Sequence, residues 1–199
     1  MRIEIVDNSV PSVQEYRLMV GAINRAVSTV IAHEAFRLSN EIKTGLIEQR
    51  PGGKKIRPLK RTTILLRGIR TGDGKPGTKA LIHSGSMVDS VTAKKRNRFH
   101  YTAGVHRNAR SKDGKSLSNI AAIHEGGTKT YTVTVTEKMR RFSFVLMKFG
   151  ILRAPWRVGQ ELRRKIPARP WLGPAHEEWE KNVDDRFVAG LGAILGMTR

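Results

Sequence analysis

The sequence predicts an α+β fold: a long N-terminal helix, an antiparallel β-sheet and a closing C-terminal helix. Three observations predict it. Apolar residues recur at spacings of three and four between Tyr16 and Leu46. Alternating β-formers follow, most clearly in Tyr131–Thr136, YTVTVT. Helical spacing returns over Ala175–Leu195, with acidic residues in the first turns, where they suit the helix dipole. A chain of 199 residues supports one core, so residues 1–199 read as a single domain.

The elements are justified in order. RIEIV at positions 2–6 reads as a short strand, ended by a turn at Asp7-Asn8. Ser12 followed three residues later by Glu15 is the signature of a capping box. No proline interrupts the pattern from there to Gln49. A helix of about 38 residues is about 57 Å long, so it should pack on a neighbour or break near Gly21 or Gly45. Residues 50–79 hold 10 basic residues, 6 glycines and 3 prolines against 1 acidic residue. That composition predicts an extended basic loop with a short ordered piece at Thr62–Leu66. Strands are expected at Ala80–His83, Met87–Lys94 and Phe99–His106, with Arg107–Ser116 as a basic hairpin tip or insertion. Leu117–Glu125 reads as a short helix closed by Gly126-Gly127. Glu137–Phe149 reads as helical or extended and, from its apolar density, buried; residues 137–165 look like an insertion.

Charge and composition bound the function. The net charge is +20, and it is uneven: −1 over residues 1–49, +15 over 50–115 and +6 over 116–199. Such a chain meets something negative or spreads its charge over an assembly. There are no cysteines, which removes disulfides, thiolate metal sites and cysteine nucleophiles, and which fits folding in a reducing cytoplasm. No apolar run approaches the roughly 20 residues of a membrane-spanning helix, and the N-terminus has no signal-peptide core.

No catalytic constellation stands out. The pairs His33-Glu34, His124-Glu125 and His176-Glu177 lack the second histidine of a zinc-protease helix, because Arg37, Thr128 and Glu180 stand there. A structural turn with a satisfied polar pair is the simpler account of His124-Glu125. Gly72 and Gly77 have the spacing of a phosphate loop, but Thr78-Lys79 reverses the expected order and Pro76 removes a donor. The carboxylates are too scattered for a two-metal site; their densest group, Glu177, Glu178, Glu180, Asp184 and Asp185, lies on one predicted helix. Ser84-Gly85-Ser86 is a turn without a nucleophile frame. The expectation is a protein that is not an enzyme, with no cofactor and no metal. Candidate contacts to DNA or to an acidic partner are Lys54, Lys55, Arg57, Lys60, Arg61, Arg67, Arg70 and Lys75. Zinc-finger, basic-zipper and aromatic sheet motifs are missing, so any DNA contact would be made without sequence readout. Both targets stay open.

Four segments in order carry a resemblance. They are Pro58-Leu59 with Thr62-Thr63 and Arg67-Gly68; Leu81–Val91 (LIHSGSMVDSV); Tyr101–Val105 (YTAGV) with Ile120–Gly127 (IAAIHEGG); and Ile166–Ala175 (IPARPWLGPA). Together they resemble the phage virion-morphogenesis family of Mu-like phages, related to neck and tail-completion proteins of other tailed phages. The resemblance covers about 120 of the 199 residues. Met87 stands where that family usually has Leu, and Gly126 where it commonly has Phe. The resemblance implies a structural virion protein of the head–tail junction. It would be a homo-oligomeric ring subunit, guessed to be hexameric, that joins the connector to the tail. Its implied partners are connector or head-closure proteins, tail-terminator or tail-tube proteins, and genomic DNA passing through the ring, with no membrane. Its implied place is the virion, after assembly in the host bacterial cytoplasm. Six copies would carry far more charge than the roughly 30 phosphates of a bore about 50 Å long could use. A non-specific basic DNA-binding protein is the alternative.

The candidate interface is Pro167, Arg169, Pro170 and Trp171. The prolines fix an extended strap with few donors, and a tryptophan is a common interface anchor. A core tryptophan is the equal alternative.

Overall fold

The structure is a computed structural model that describes residues 12–71, 77–82, 85–111 and 113–197. The RIEIV strand and the Asp7-Asn8 turn lie outside the described residues, as do Gly72–Pro76 (Lys75 among them), His83 and Ser84.

Helix α1 spans Val13–Glu48, without a break at Gly21 or Gly45. Its start is fixed by reciprocal hydrogen bonds. The Glu15 amide donates to Ser12 Oγ, and the Ser12 amide donates to the Glu15 carboxylate at 2.6 Å. Its end is fixed by Gln49, which takes a left-handed φ of 61°. The Gln49 side chain both donates to the Ala80 carbonyl and accepts from the Ala80 amide. Gly45 allows the chain to fold back at once: a Cβ there would lie 2.6 Å from Pro51 Cα. A 3₁₀ turn, Pro51–Gly53, follows, and a Cβ on Gly52 would come within 2.0 Å of the Pro174 carbonyl oxygen. Glycine at these two positions brings the end of α1, this turn and the C-terminal region into contact.

The remaining elements are α2 (Arg61–Thr71), α3 (Ser86–Asp89), β1 (Val91–Asn97), β2 (His100–Val105), α4 (Leu117–Gly126), β3 (Tyr131–Thr134), α5 (Glu137–Lys148), β4 (Glu161–Arg164), α6 (Leu172–Glu180) and α7 (Val183–Leu195). β1 and β2 form an antiparallel hairpin from Val91↔Val105 to Asn97↔His100, with an irregularity between Lys95 and Asn97. β3 and β4 form a separate antiparallel ribbon from Tyr131↔Arg164 to Thr134↔Glu161.

This corrects the expected architecture of one sheet between two terminal helices. Among the described residues there are seven helices and two two-stranded sheets that do not join. Along the chain α4 lies between β2 and β3. The β3–β4 ribbon has too little apolar surface to recruit another strand: only Val133 and its partner Leu162 are partly covered. The closing helix is divided too. The Trp179 carbonyl accepts from the Asn182 amide at 3.4 Å and from Arg186 Nη2 at 3.1 Å, which closes the last turn of α6 before α7 begins at Val183. No glycine or proline marks this break. Most of α2 falls where a loop was expected; an ordered helix there satisfies the backbone that glycine-rich composition seemed to leave irregular. The expected strand at Ala80–His83 is a turn over its described part, and the Met87 end of the next one is the short helix α3.

The core is assembled from distant segments. Ile42 and Leu46 of α1 meet Ile56, Ala80, Leu81, Met87 and Val91, and Trp171 with Ala121 and Ala175 closes the cluster. The β1–β2 hairpin, α6 and α7 all lie against α1. Contacts of Arg186 with Glu34 and of Gly190 with Val30 set α7 antiparallel to α1.

Candidate functional site: a motif junction and an uncovered helix

The four resembling segments converge on one junction. Arg169 Nε donates to the Arg57 carbonyl at 3.0 Å, joining the last segment to the residue before the first. Arg67 Nη1 donates to the carbonyls of Gly77, Lys79 and Ile82, which joins the first segment to the second. The amide of Arg169 donates to the His124 carbonyl at 2.7 Å. The Glu125 carboxylate accepts from three successive amides at the start of α6: Trp171 at 2.8 Å, Leu172 at 3.0 Å and Gly173 at 2.9 Å. A carboxylate at a helix N-terminus satisfies donors that the helix cannot pair and complements its dipole. The His-Glu-Gly-Gly segment is therefore a remote cap. Gly127 completes the contact, since a Cβ there would lie 2.7 Å from the Ala168 amide nitrogen.

This geometry places the sequence candidates. Trp171 is 2% exposed and Arg169 is 7% exposed, so within this chain both are core residues. Pro167 is partly covered and Pro170 is exposed. Lys55, Arg57, Lys60 and Arg61 are exposed. Lys54 reaches the Glu177 carboxylate at 2.6 Å, and that lysine holds the Glu177 carboxyl below its ordinary pKa. Arg67 is turned inward to carbonyls rather than outward. Arg70 lies on α2, and Lys75 lies outside the described residues. The candidates thus do not form one patch: Arg67, Arg169 and Trp171 sit in the junction and most of the rest stand on the surface.

Burial, then Arg169, lowers the Arg67 pKa from its ordinary value; burial, then Arg57, lowers that of Arg169. His124 sits beside both, and burial first, then Arg169 and Arg67, hold its imidazole below the usual value. Its Nδ1 is buried without a hydrogen-bond partner.

A second hub escaped the sequence reading. Glu34, 8% exposed, accepts from Trp179 Nε1 at 3.0 Å and from Arg186 Nη2 at 2.9 Å. It binds α1 to α6 and α7. The signal in the sequence is only an acidic residue on the apolar side of a helix. His33 is exposed, and His176 Nδ1 faces Glu180 at 3.6 Å. Among the described residues no group of three or more metal-ligating side chains gathers, and no helix is long and apolar enough to cross a membrane.

The uncovered surface is the beginning of α1. Val13, Tyr16, Val20 and Ile23 recur at spacings of three and four, and each is at least 40% exposed; Leu18 and Met19 beside them are also exposed. α7 contacts α1 at Val30 and Glu34 and ends at Leu195, and these apolar side chains of the helix start stay at least 40% exposed.

No family model, curated protein or solved structure matches the chain. That corrects the classification expected from the resemblance. No relative ties the chain to a bacteriophage, a virion, or neck, tail-completion, head–tail joining or virion-morphogenesis proteins, and these labels are withdrawn as statements of kinship.

Proposed function

We propose that the chain is a structural subunit that works by assembling, with copies meeting through the start of α1. The role implied by the order of its motifs is a ring subunit at a head–tail junction, joining a connector to a tail. The observation that carries the assembly reading is the uncovered apolar stretch of α1 from Val13 to Ile23. Burying a Val, Leu or Ile side chain contributes about 1.5–3 kcal/mol, so a helix start this apolar gains strongly from a partner. The four motif segments pack on one core and so form one structural unit of this chain. The motif order itself supplies the junction role.

The test is the mass of the protein in solution, by light scattering at moderate and high salt, with and without duplex DNA. A closed oligomer that survives high salt and falls to monomers in a Tyr16→Asp, Val20→Asp variant is expected. An apolar contact should persist as salt rises, whereas surface charge contacts weaken.

A second reading, non-specific DNA binding, is favoured by exposed cations. Lys94, Lys95, Arg96 and Arg98 stand exposed on the β1–β2 hairpin, alongside Lys55, Lys60 and Arg61 elsewhere. A monomer that coats DNA and is released steeply by salt would replace the assembly reading with this one.

A further inference from the structure

A cleft of about 560 Å³ lies among α2, α5 and the strap before α6. Part of its lining is apolar. Leu146 is 5% exposed, Trp156 is half-buried, and Phe142 still presents 41% of its surface. Another part is basic, with Lys60, Arg164 and Lys165. The cleft shares Lys60, Lys165, Ile166 and Pro167 with a second groove of about 660 Å³, which adds Arg57 and Lys129. Among the described residues no Asp or Glu lines either one.

The walls are pre-formed. Ser143, fully buried, donates to the Arg140 carbonyl and accepts from the Trp156 amide at 3.0 Å, which fixes Trp156 to α5. The Arg164 guanidinium lies over the Trp156 ring at 5.1 Å. Thr128 and Ile166 exchange hydrogen bonds, both 2.9 Å, and hold the strap in place. The unpartnered Nδ1 of His124 belongs to a residue lining the same cleft.

We propose that this cleft holds an acidic segment of a partner polypeptide anchored by an apolar side chain. Carboxylates of the segment meet Lys60, Arg164 and Lys165, and its aliphatic or aromatic side chain rests on Trp156 and Leu146. The apolar lining decides against nucleic acid as the occupant. A duplex backbone offers phosphates to the lysines but no apolar group to cover Leu146 and Phe142. Mixed apolar and complementary charged contacts are how polypeptide segments are held in grooves. The site is independent of assembly through α1.

The probe is a short labelled peptide of alternating Glu and Leu, followed by fluorescence polarisation on the full chain. Polyglutamate and a duplex oligonucleotide serve as comparison probes. Lys60→Glu combined with Lys165→Glu is expected to weaken peptide binding roughly tenfold or more, since each reversal replaces attraction to the peptide carboxylates by repulsion. Phe142→Ser is expected to weaken it roughly tenfold through lost apolar cover. All three side chains are exposed, and an unchanged unfolding midpoint verifies that the variants fold. The Tyr16→Asp, Val20→Asp variant should bind the peptide as the parent does, even if its mass changes. The proposal fails if the peptide does not bind, if polyglutamate binds equally well, or if Phe142→Ser has no effect. It also fails if the oligonucleotide displaces the peptide from the charge-dependent site.

Discussion

The two halves of α1 are made of similar residues and do different work. From Ala26 to Leu46 its apolar side is covered: Ala26, Val30, Ile42 and Leu46 are each at most 3% exposed. From Val13 to Ile23 it is equally apolar and open to solvent. No break in the helix separates them; what differs is what the rest of the chain brings alongside. The hairpin, α6 and α7 lie along the second half. The fold of one chain therefore accounts for only part of its longest helix. Apolar periodicity reveals that a face is to be buried, and not whether the burial is within the chain or against another.

The sharpest way to break this comparison is to cut into the covered half. Leu46 is fully buried beside Ile42 in the central cluster. Leu46→Ala is expected to cost about 2–5 kcal/mol, seen as a large fall in the urea midpoint, because the cavity cannot close among Trp171, Ala175 and the 3₁₀ turn. A loss below ~1 kcal/mol would mean that this half is not the anchor of the fold. Next in size is Glu34→Gln. It keeps the shape but removes the charge that Arg186 and Trp179 meet, and it is expected to cost about 2 kcal/mol in the same measurement. That substitution should loosen α7 before it touches the central cluster, so amides of α7 should lose hydrogen-exchange protection first.

How much of this was legible follows the range of the interactions. Ser12 and Glu15 announce the start of α1 because a capping box lies within one turn. Likewise Gly127 marks the end of α4, where it takes a φ of 71°. Long-range contacts were not legible. Glu125 caps α6 from a distance of 46 to 48 positions along the chain, and nothing near it in sequence says so. Trp171 could be read as core or interface, and only the neighbours Ala121 and Ala175 decide for core. The period-two pattern of YTVTVT correctly marks a strand at Tyr131–Thr134, yet period says nothing about partners. Its partner, ELRR at Glu161–Arg164, has no such pattern, so the separate ribbon was not foreseen. The cleft beside it was missed for the same reason: its lining comes from four stretches spread over residues 59–169.

A smaller effect concerns the junction that sits against the covered half. The folded chain holds the His124 imidazole below its ordinary pKa of 6.5, by burial and by Arg169 and Arg67. As pH falls through 6.5, the unfolded chain takes up this proton first, so stability declines with pH until the folded pKa is reached. Unfolding midpoints measured from about pH 7 to about pH 5 should therefore fall in the parent. In His124→Gln the decline should be shallower. His106, lowered by burial and by Lys94 and Arg96, contributes a decline of the same sign that remains. An identical slope in both proteins would remove His124 from the account.

The smallest effect on stability is expected where the effect on mass is largest. Tyr16→Ser with Val20→Ser changes two side chains that are 55% and 46% exposed. Exposed substitutions away from caps and cores usually stay within about 0.5 kcal/mol, and the capping box at Ser12 is untouched. If copies meet through this surface, the isolated chain should unfold at nearly its original midpoint at low concentration. Its solution mass should nevertheless drop to that of a monomer at concentrations where the parent is assembled. A parent that is already monomeric, together with an unchanged variant, would leave the first half of α1 without an assembly role. A variant that loses several kcal/mol as a monomer would erase the distinction between the two halves altogether, because the same helix would then be working inside the chain along its whole length.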